Sequence, residues 1–220
     1  MLKYILFLPV ISYSVFAYAQ VHVKDEPRHH NVFENEFVRI LDVHLGPKDT
    51  TIYHLHNTPS VFIIFTNTNV GSQLIGKQPE KGINLPGAIT YDSLTTPRIH
   101  RVWNEDTGWF HVMDVELTRI SPHSEAQVLQ DPSLQMLFTN RFVNGYKIKL
   151  DAGKIIKLSS VQNGYLLVSL DYAVIDLKLN EIVQHRIMKA GHYVWIDAGK
   201  NFSIGSKDNK PSNFVLLQLK

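Results

Sequence analysis

After residue 30 the chain is written in short apolar runs. Phe37–Leu45, Ile52–His56, Val61–Thr66 and Phe110–Leu117 carry β-branched, aromatic or alternating residues, each bounded by Gly, Pro, Asn or Asp. Period-two patterning places successive side chains on opposite faces of an extended strand. The best short helical candidate, Ser124–Leu137, is interrupted by Pro132, which has no N–H to give to a helix. Many short strands separated by turn residues predict an all-β sandwich or barrel.

The two halves repeat this pattern. VHLGPKDTTIYHLHNTPSVFII from Val43 aligns with KIKLDAGKIIKLSSVQNGYLL from Lys147, PGAITYD from Pro86 with AGHYVWID from Ala190, and FHVMDVEL from Phe110 with SNFVLLQL from Ser212. A shared order of strands and Gly turns predicts two lobes. Residues 20–120 form the first and residues 137–220 the second, and the segment 121–136, with Pro122 and Pro132, is the natural linker. The alignment sets Lys157 opposite His54, Ser159 opposite His56 and Phe202 opposite His100, so the second lobe cannot rebuild any site that those histidines form.

The first residues follow a different rule. Lys3 is the only charge before Lys24, Tyr4–Phe16 is dominated by Ile, Leu, Phe and Val, and Ala17-Tyr18-Ala19 gives the small-x-small pattern of signal-peptidase cleavage. A membrane anchor is the competing reading, but Pro9 and the short apolar core fall below the roughly 20 apolar residues of a span. Residues 1–19 therefore read as a signal peptide. The mature chain would begin at Gln20, carry no membrane span and be periplasmic or secreted. With 22 basic and 20 acidic residues and no basic cluster, nucleic acid is a poor partner. The absence of cysteine excludes disulfides, thiolate metal sites and cysteine nucleophiles, and leaves His, Asp and Glu as metal donors.

Eleven histidines do not make a site; spacing does. His54-Leu55-His56 lies in a strand pattern, so both imidazoles project to one face as a pair of metal donors. His100 stands on a later strand, after Pro86-Gly87 and four residues before Asn104. In Phe110–Leu117 the more apolar face is formed by His111, Met113, Val115 and Leu117. That face is expected to point into the barrel. There His111 could orient a substrate or act as a base, which makes it the catalytic candidate, although a satisfied core histidine is the plainer reading. His22, His29, His30, His44, His123, His185 and His192 show no ligand spacing and read as surface or edge residues.

These residues resemble the two motifs of the cupin superfamily. The first is a Gly, a gap, His-x-His, a short gap and often Glu; the second is a Pro-Gly turn, then His, three residues and Asn. Gly46, His54, His56 and Gly71 match the first, and Pro86, Gly87, His100 and Asn104 the second. The resemblance covers about Phe33–Leu117 and implies a double-stranded β-helix, the jelly-roll or cupin barrel. The second lobe follows it in shape only. It also implies metal ligation by His54, His56 and His100. The expected glutamate is missing, with Ser60 or Val61 in its place, which leaves a three-histidine site like that of thiol dioxygenases.

Three neutral imidazoles do not compensate a divalent ion, which favours an anionic ligand. The leading reading is a metal-dependent dioxygenase for a small organic anion, with iron(II) first and zinc, manganese or nickel as alternatives. The competing readings are a small-ligand binding or sensor module and a metal-independent sugar isomerase or epimerase. A homodimer is compatible with each.

Overall fold

The computed structural model describes residues 20–119, 126–158 and 164–220. The leader-like segment 1–19, linker residues 121–125 with His123, and Ser159 lie outside them. The described residues form nineteen strands and one 3-10 turn, Val23–Asp25. The first half holds β1 (Val21–His22), β2 (His29–Glu34), β3 (Val38–Leu45), β4 (His54–His56) and β5 (Ser60–Ile64). It continues with β6 (Thr68–Leu74), β7 (Glu80–Asn84), β8 (Ile89–Asp92), β9 (Arg98–Asn104) and β10 (Phe110–Leu117). The second half holds β11 (Leu134–Thr139), β12 (Val143–Leu150), β13 (Ile155–Leu158), β14 (Tyr165–Ser169) and β15 (Ala173–Leu179). It ends with β16 (Ile182–Met188), β17 (Tyr193–Ile196), β18 (Phe202–Ser206) and β19 (Ser212–Leu219).

Each half folds into two sheets. The first pairs β1-β4-β9-β6-β7 with β2-β3-β10-β5-β8; the second pairs β13-β18-β15-β16 with β11-β12-β19-β14-β17. Apart from β1, the second half repeats the strand order of the first with every number raised by nine. The expected repeat is therefore present as topology. The alignment between the halves is off by one residue at the site. The inward pairs of the matching strands are Ile156 with Ile204 and Leu158 with Phe202, while Lys157 points outward. In a strand a one-residue slip exchanges the two faces.

Three apolar clusters hold the molecule. One fills the second lobe, with Tyr146, Tyr165, Phe202 and Phe214 at its centre. Another lies between the lobes, where Val38, Ile40, Val61, Ile63, Met113, Val115 and Leu117 meet Val143, Leu166, Val168, Val215 and Leu217. The cluster inside the first lobe is smaller, built on Val43, Leu45, Ile64, Phe110 and Val112. The rest of that interior is polar: His54, His56, Ser60, Asp114 and Glu116 are each at most 1% exposed. Buried polar groups without partners are costly, and their concentration in one lobe marks where function resides.

Candidate metal centre

The site sits between the two sheets of the first lobe. His54 and His56 flank Leu55 on β4, and both turn inward. Across the ladder on β9, His100 is the direct partner of His54. The ring centroids lie 5.0 Å apart for His54–His56, 4.7 Å for His54–His100 and 4.9 Å for His56–His100. The three histidines singled out by motif spacing thus form one compact triangle, with His100 the least buried.

A further imidazole joins from the opposite sheet. His29, read above as a surface or edge residue, is buried on β2, and its ring centroid is 4.7 Å from that of His54. Donor nitrogens of His29, His54 and His56 all lie within 4.8 Å of one another. Nothing in its spacing marks His29. His29 opens β2, where it pairs with Val43 of β3, and the turn at Val23–Asp25 precedes it.

Three of these rings have an acceptor behind Nδ1. His29 Nδ1 donates to Glu26 Oε2 at 2.7 Å, and His54 Nδ1 donates to the Ile52 carbonyl at 2.9 Å. His56 Nδ1 faces Asp114 Oδ2 at 3.6 Å. Nε2 of His54 and Nε2 of His56 are buried without a hydrogen-bond partner. Burial, and then the neighbouring His29, lower the His54 pKa to about 4; burial, and then His54, lower that of His100 to about 3. His56 is driven down further by burial and by His100. His54, His56 and His100 are therefore neutral at physiological pH, the form that binds a metal ion without first losing a proton. Orphaned imidazole nitrogens in a cluster of imidazoles suit a borderline divalent ion, so the residues present fit a metal.

No protein-family model matches the chain, and no curated protein matches it. Solved structures do match its architecture. AerE from Microcystis aeruginosa superposes with a TM-score of 0.61 at 10% identity, over 89% of this chain and 98% of that one. A cupin 2 conserved barrel domain protein from Leptotrichia buccalis gives 0.54 at 10%, over 86% of each chain. Salicylate 1,2-dioxygenase from Pseudaminobacter salicylatoxidans gives 0.59 at 9%, over 83% of this chain and 71% of that one. The fold is a cupin fold. At these identities the likeness carries architecture and nothing finer.

The place of the motif glutamate is taken by buried Ser60, whose hydroxyl donates to the Thr58 carbonyl at 3.2 Å. The motif asparagine, Asn104, ties the carbonyls of Leu45, Gly46 and Gly108 together through Nδ2 and so closes the end of the barrel. Gly71 is required by packing, because a Cβ there would fall 2.0 Å from the Trp103 ring. Arg101 turns outward as alternation predicts and lies over the rings of Tyr53 and Trp103, while Tyr53 faces away from the histidines to bond Gln73. The second lobe puts Leu158 and Phe202 where the first has His54 and His100, and the counterpart of His56 lies outside the described residues.

His111 is not inside the barrel. The polar face of β10, with Asp114 and Glu116, turns inward, while His111, Met113, Val115 and Leu117 turn toward the second lobe. The rule that the more apolar face points inward assumes a barrel standing alone; here the second lobe makes the outer face the drier one. His111 Nε2 donates to Asp42 Oδ1 at 2.7 Å and its ring stacks on His44 at 4.0 Å. Gly191 of the second lobe, at φ +85°, makes room for the ring, since a Cβ there would lie 2.8 Å from it. His44, read as a surface or edge residue, thus belongs to the lobe junction. His22, His30, His185 and His192 are exposed.

Proposed function

We propose that this protein is an exported, metal-dependent dioxygenase acting on a small organic anion, with His54, His56 and His100 as metal ligands. The observation that carries the reading is the pair of buried, unpartnered Nε2 atoms on His54 and His56, whose ring centroids lie 4.7 and 4.9 Å from that of His100. Divalent iron held there would supply dioxygen activation and open positions for substrate, with zinc, manganese or nickel as the alternatives. The protein's part is to exclude water, keep the imidazoles neutral and orient an anion. Arg98 suits the last task. It shares the inward face of β9 with His100, it bonds Asp92 at 2.6 Å, and its Nε is buried without a partner. It also borders a cavity of about 380 Å³ with Leu74, Asp92 and Pro97. A guanidinium there fits a carboxylate through paired N–H donors. A structural relative is named salicylate 1,2-dioxygenase and has been crystallised as adducts with gentisate, which supports a small aromatic acid as the class to try first.

Two measurements test this. Tag-free protein is expected to contain about one divalent metal per chain by elemental analysis. His100→Ala should lose most of it while keeping its circular dichroism spectrum, because the fold rests on apolar burial elsewhere. A wild-type protein without affinity for divalent metal, or a variant with full metal content, overturns the assignment. Export is supported by the cleavage pattern Ala17-Tyr18-Ala19. Native protein is expected to have the intact mass of a chain starting at Gln20, and a mass that retains residues 1–19 would refute it.

A further inference from the structure

We propose that His29 is a fourth protein ligand of this centre, held in position by Glu26, so that the donor set is four imidazoles. The inference rests on the metal reading above and deepens it. His29 is carried by β2, in the sheet opposite β4 and β9, and its ring centroid lies 4.7 Å from that of His54 and 6.4 Å from that of His56. With Nδ1 committed to Glu26, Nε2 is the nitrogen available to an ion. Two nitrogens each about 2.1 Å from one ion are separated by at most about 4.2 Å. Separations within 4.8 Å among His29, His54 and His56 exceed that limit by at most about 0.6 Å.

Glu26 is built for this role. It is 1% exposed, and its carboxylate also accepts the backbone N–H of Arg28 at 2.7 Å and that of Ile52 at 3.2 Å. Ile52 is the residue whose carbonyl holds His54 Nδ1. One short stretch of backbone therefore sets the orientation of two rings through two hydrogen bonds. Burial alone would raise the Glu26 pKa, but the bond from His29 and those from the backbone outweigh it and keep the group a carboxylate. A carboxylate behind a ligating imidazole fixes its tautomer and makes it a better donor. The negative charge that Ser60 cannot supply at the ion reaches the site one bond further out, through His29. Four imidazoles leave two positions of a six-coordinate ion for substrate and dioxygen, where three leave three.

Metal-free full-length protein titrated with Co²⁺ separates the possibilities, because visible absorption reports the ligand set while the titration gives affinity. Glu26→Gln is expected to weaken Co²⁺ binding roughly 10–100-fold. His29→Ala should weaken it at least as much and change the absorption bands. Both variants should lose thermal stability relative to wild type chiefly when Co²⁺ is present, whereas a merely structural histidine would lower it equally with and without the ion. If wild type binds Co²⁺ and both variants match it in affinity and spectrum, His29 is not a ligand and the three-histidine reading stands. If folded wild type does not bind Co²⁺ at all, both readings fall. Should His29→Ala not fold, His29→Gln and Glu26→Gln carry the same test, and unchanged spectra in both overturn the proposal.

Discussion

Exchanging Asp114 for asparagine should stabilise the metal-free protein at pH 8 by on the order of 4 kcal/mol. The Asp114 side chain is fully buried on β10, and neither carboxylate oxygen has a hydrogen-bond partner. Burial, and then the nearby charge of Glu116, push its pKa from 3.8 up to about 8. A carboxyl whose pKa is raised by folding contributes its full stability below the unfolded value. That stability is lost progressively as pH climbs from about 4 to about 8, because the unfolded chain gives up its proton first. Asparagine has the same shape and never ionises, so the gain should be near zero at pH 4 and greatest at pH 8. In a protein of this size the gain at pH 8 corresponds to roughly 10 °C in Tm. Metal affinity should move the other way, falling roughly tenfold or more, because a bound cation would favour the ionised form of the Asp114 carboxyl 3.6 Å from His56 Nδ1, and asparagine cannot ionise. Thermal unfolding in chelator at pH 4, 6 and 8 checks the first effect; a gain that does not grow with pH would sink it.

Residues 20–119 produced alone should not give a folded protein. The outer face of their β2-β3-β10-β5-β8 sheet presents Val38, Ile40, Val61, Ile63, Met113, Val115 and Leu117, all at most 1% exposed in the whole molecule. Separation would hand this surface to water at about 25 cal/mol per Å² of apolar area, and the small cluster inside that lobe has little to set against it. The fragment is expected to aggregate or to bind a hydrophobic dye, and its amide NMR spectrum to be poorly dispersed. In the whole chain the milder Leu217→Ala should cost roughly 2–5 kcal/mol, from a residue at 0% exposure on the facing sheet. A soluble fragment with sharp, dispersed resonances would show that the lobes do not depend on each other.

Much of this architecture can be read from residue order. Phe110–Leu117 is a strand with the bounds its pattern suggests, and the His54-x-His56 pair lies on one strand face because the period of a strand is two. His100 needed the motif, since no local rule links it to residues 46 positions earlier. His29 was out of reach altogether. What brings it in is the pairing of β2 with β3, which sets His29 beside Val43 in the sheet opposite β4 and β9, and no local spacing links it to His54. Arg98 is legible by alternation, since two residues before His100 on one strand it shares the inward face. His111 was assigned to the wrong side because patterning reports which face is dry and not what dries it.

The division of apolar and polar interior has a consequence for how such a protein can change over time. Cohesion is concentrated in the second lobe and at the junction, while the interior that holds the histidines is walled by residues that add little to it. Exchanges among the inward positions of β4 and β9 are thus partly insulated from foldedness. The second lobe displays one end of that freedom, with Leu158 and Phe202 where the first has His54 and His100. A duplicated scaffold of this kind can keep one copy as ballast while the donor set of the other drifts toward a new ion or a new substrate.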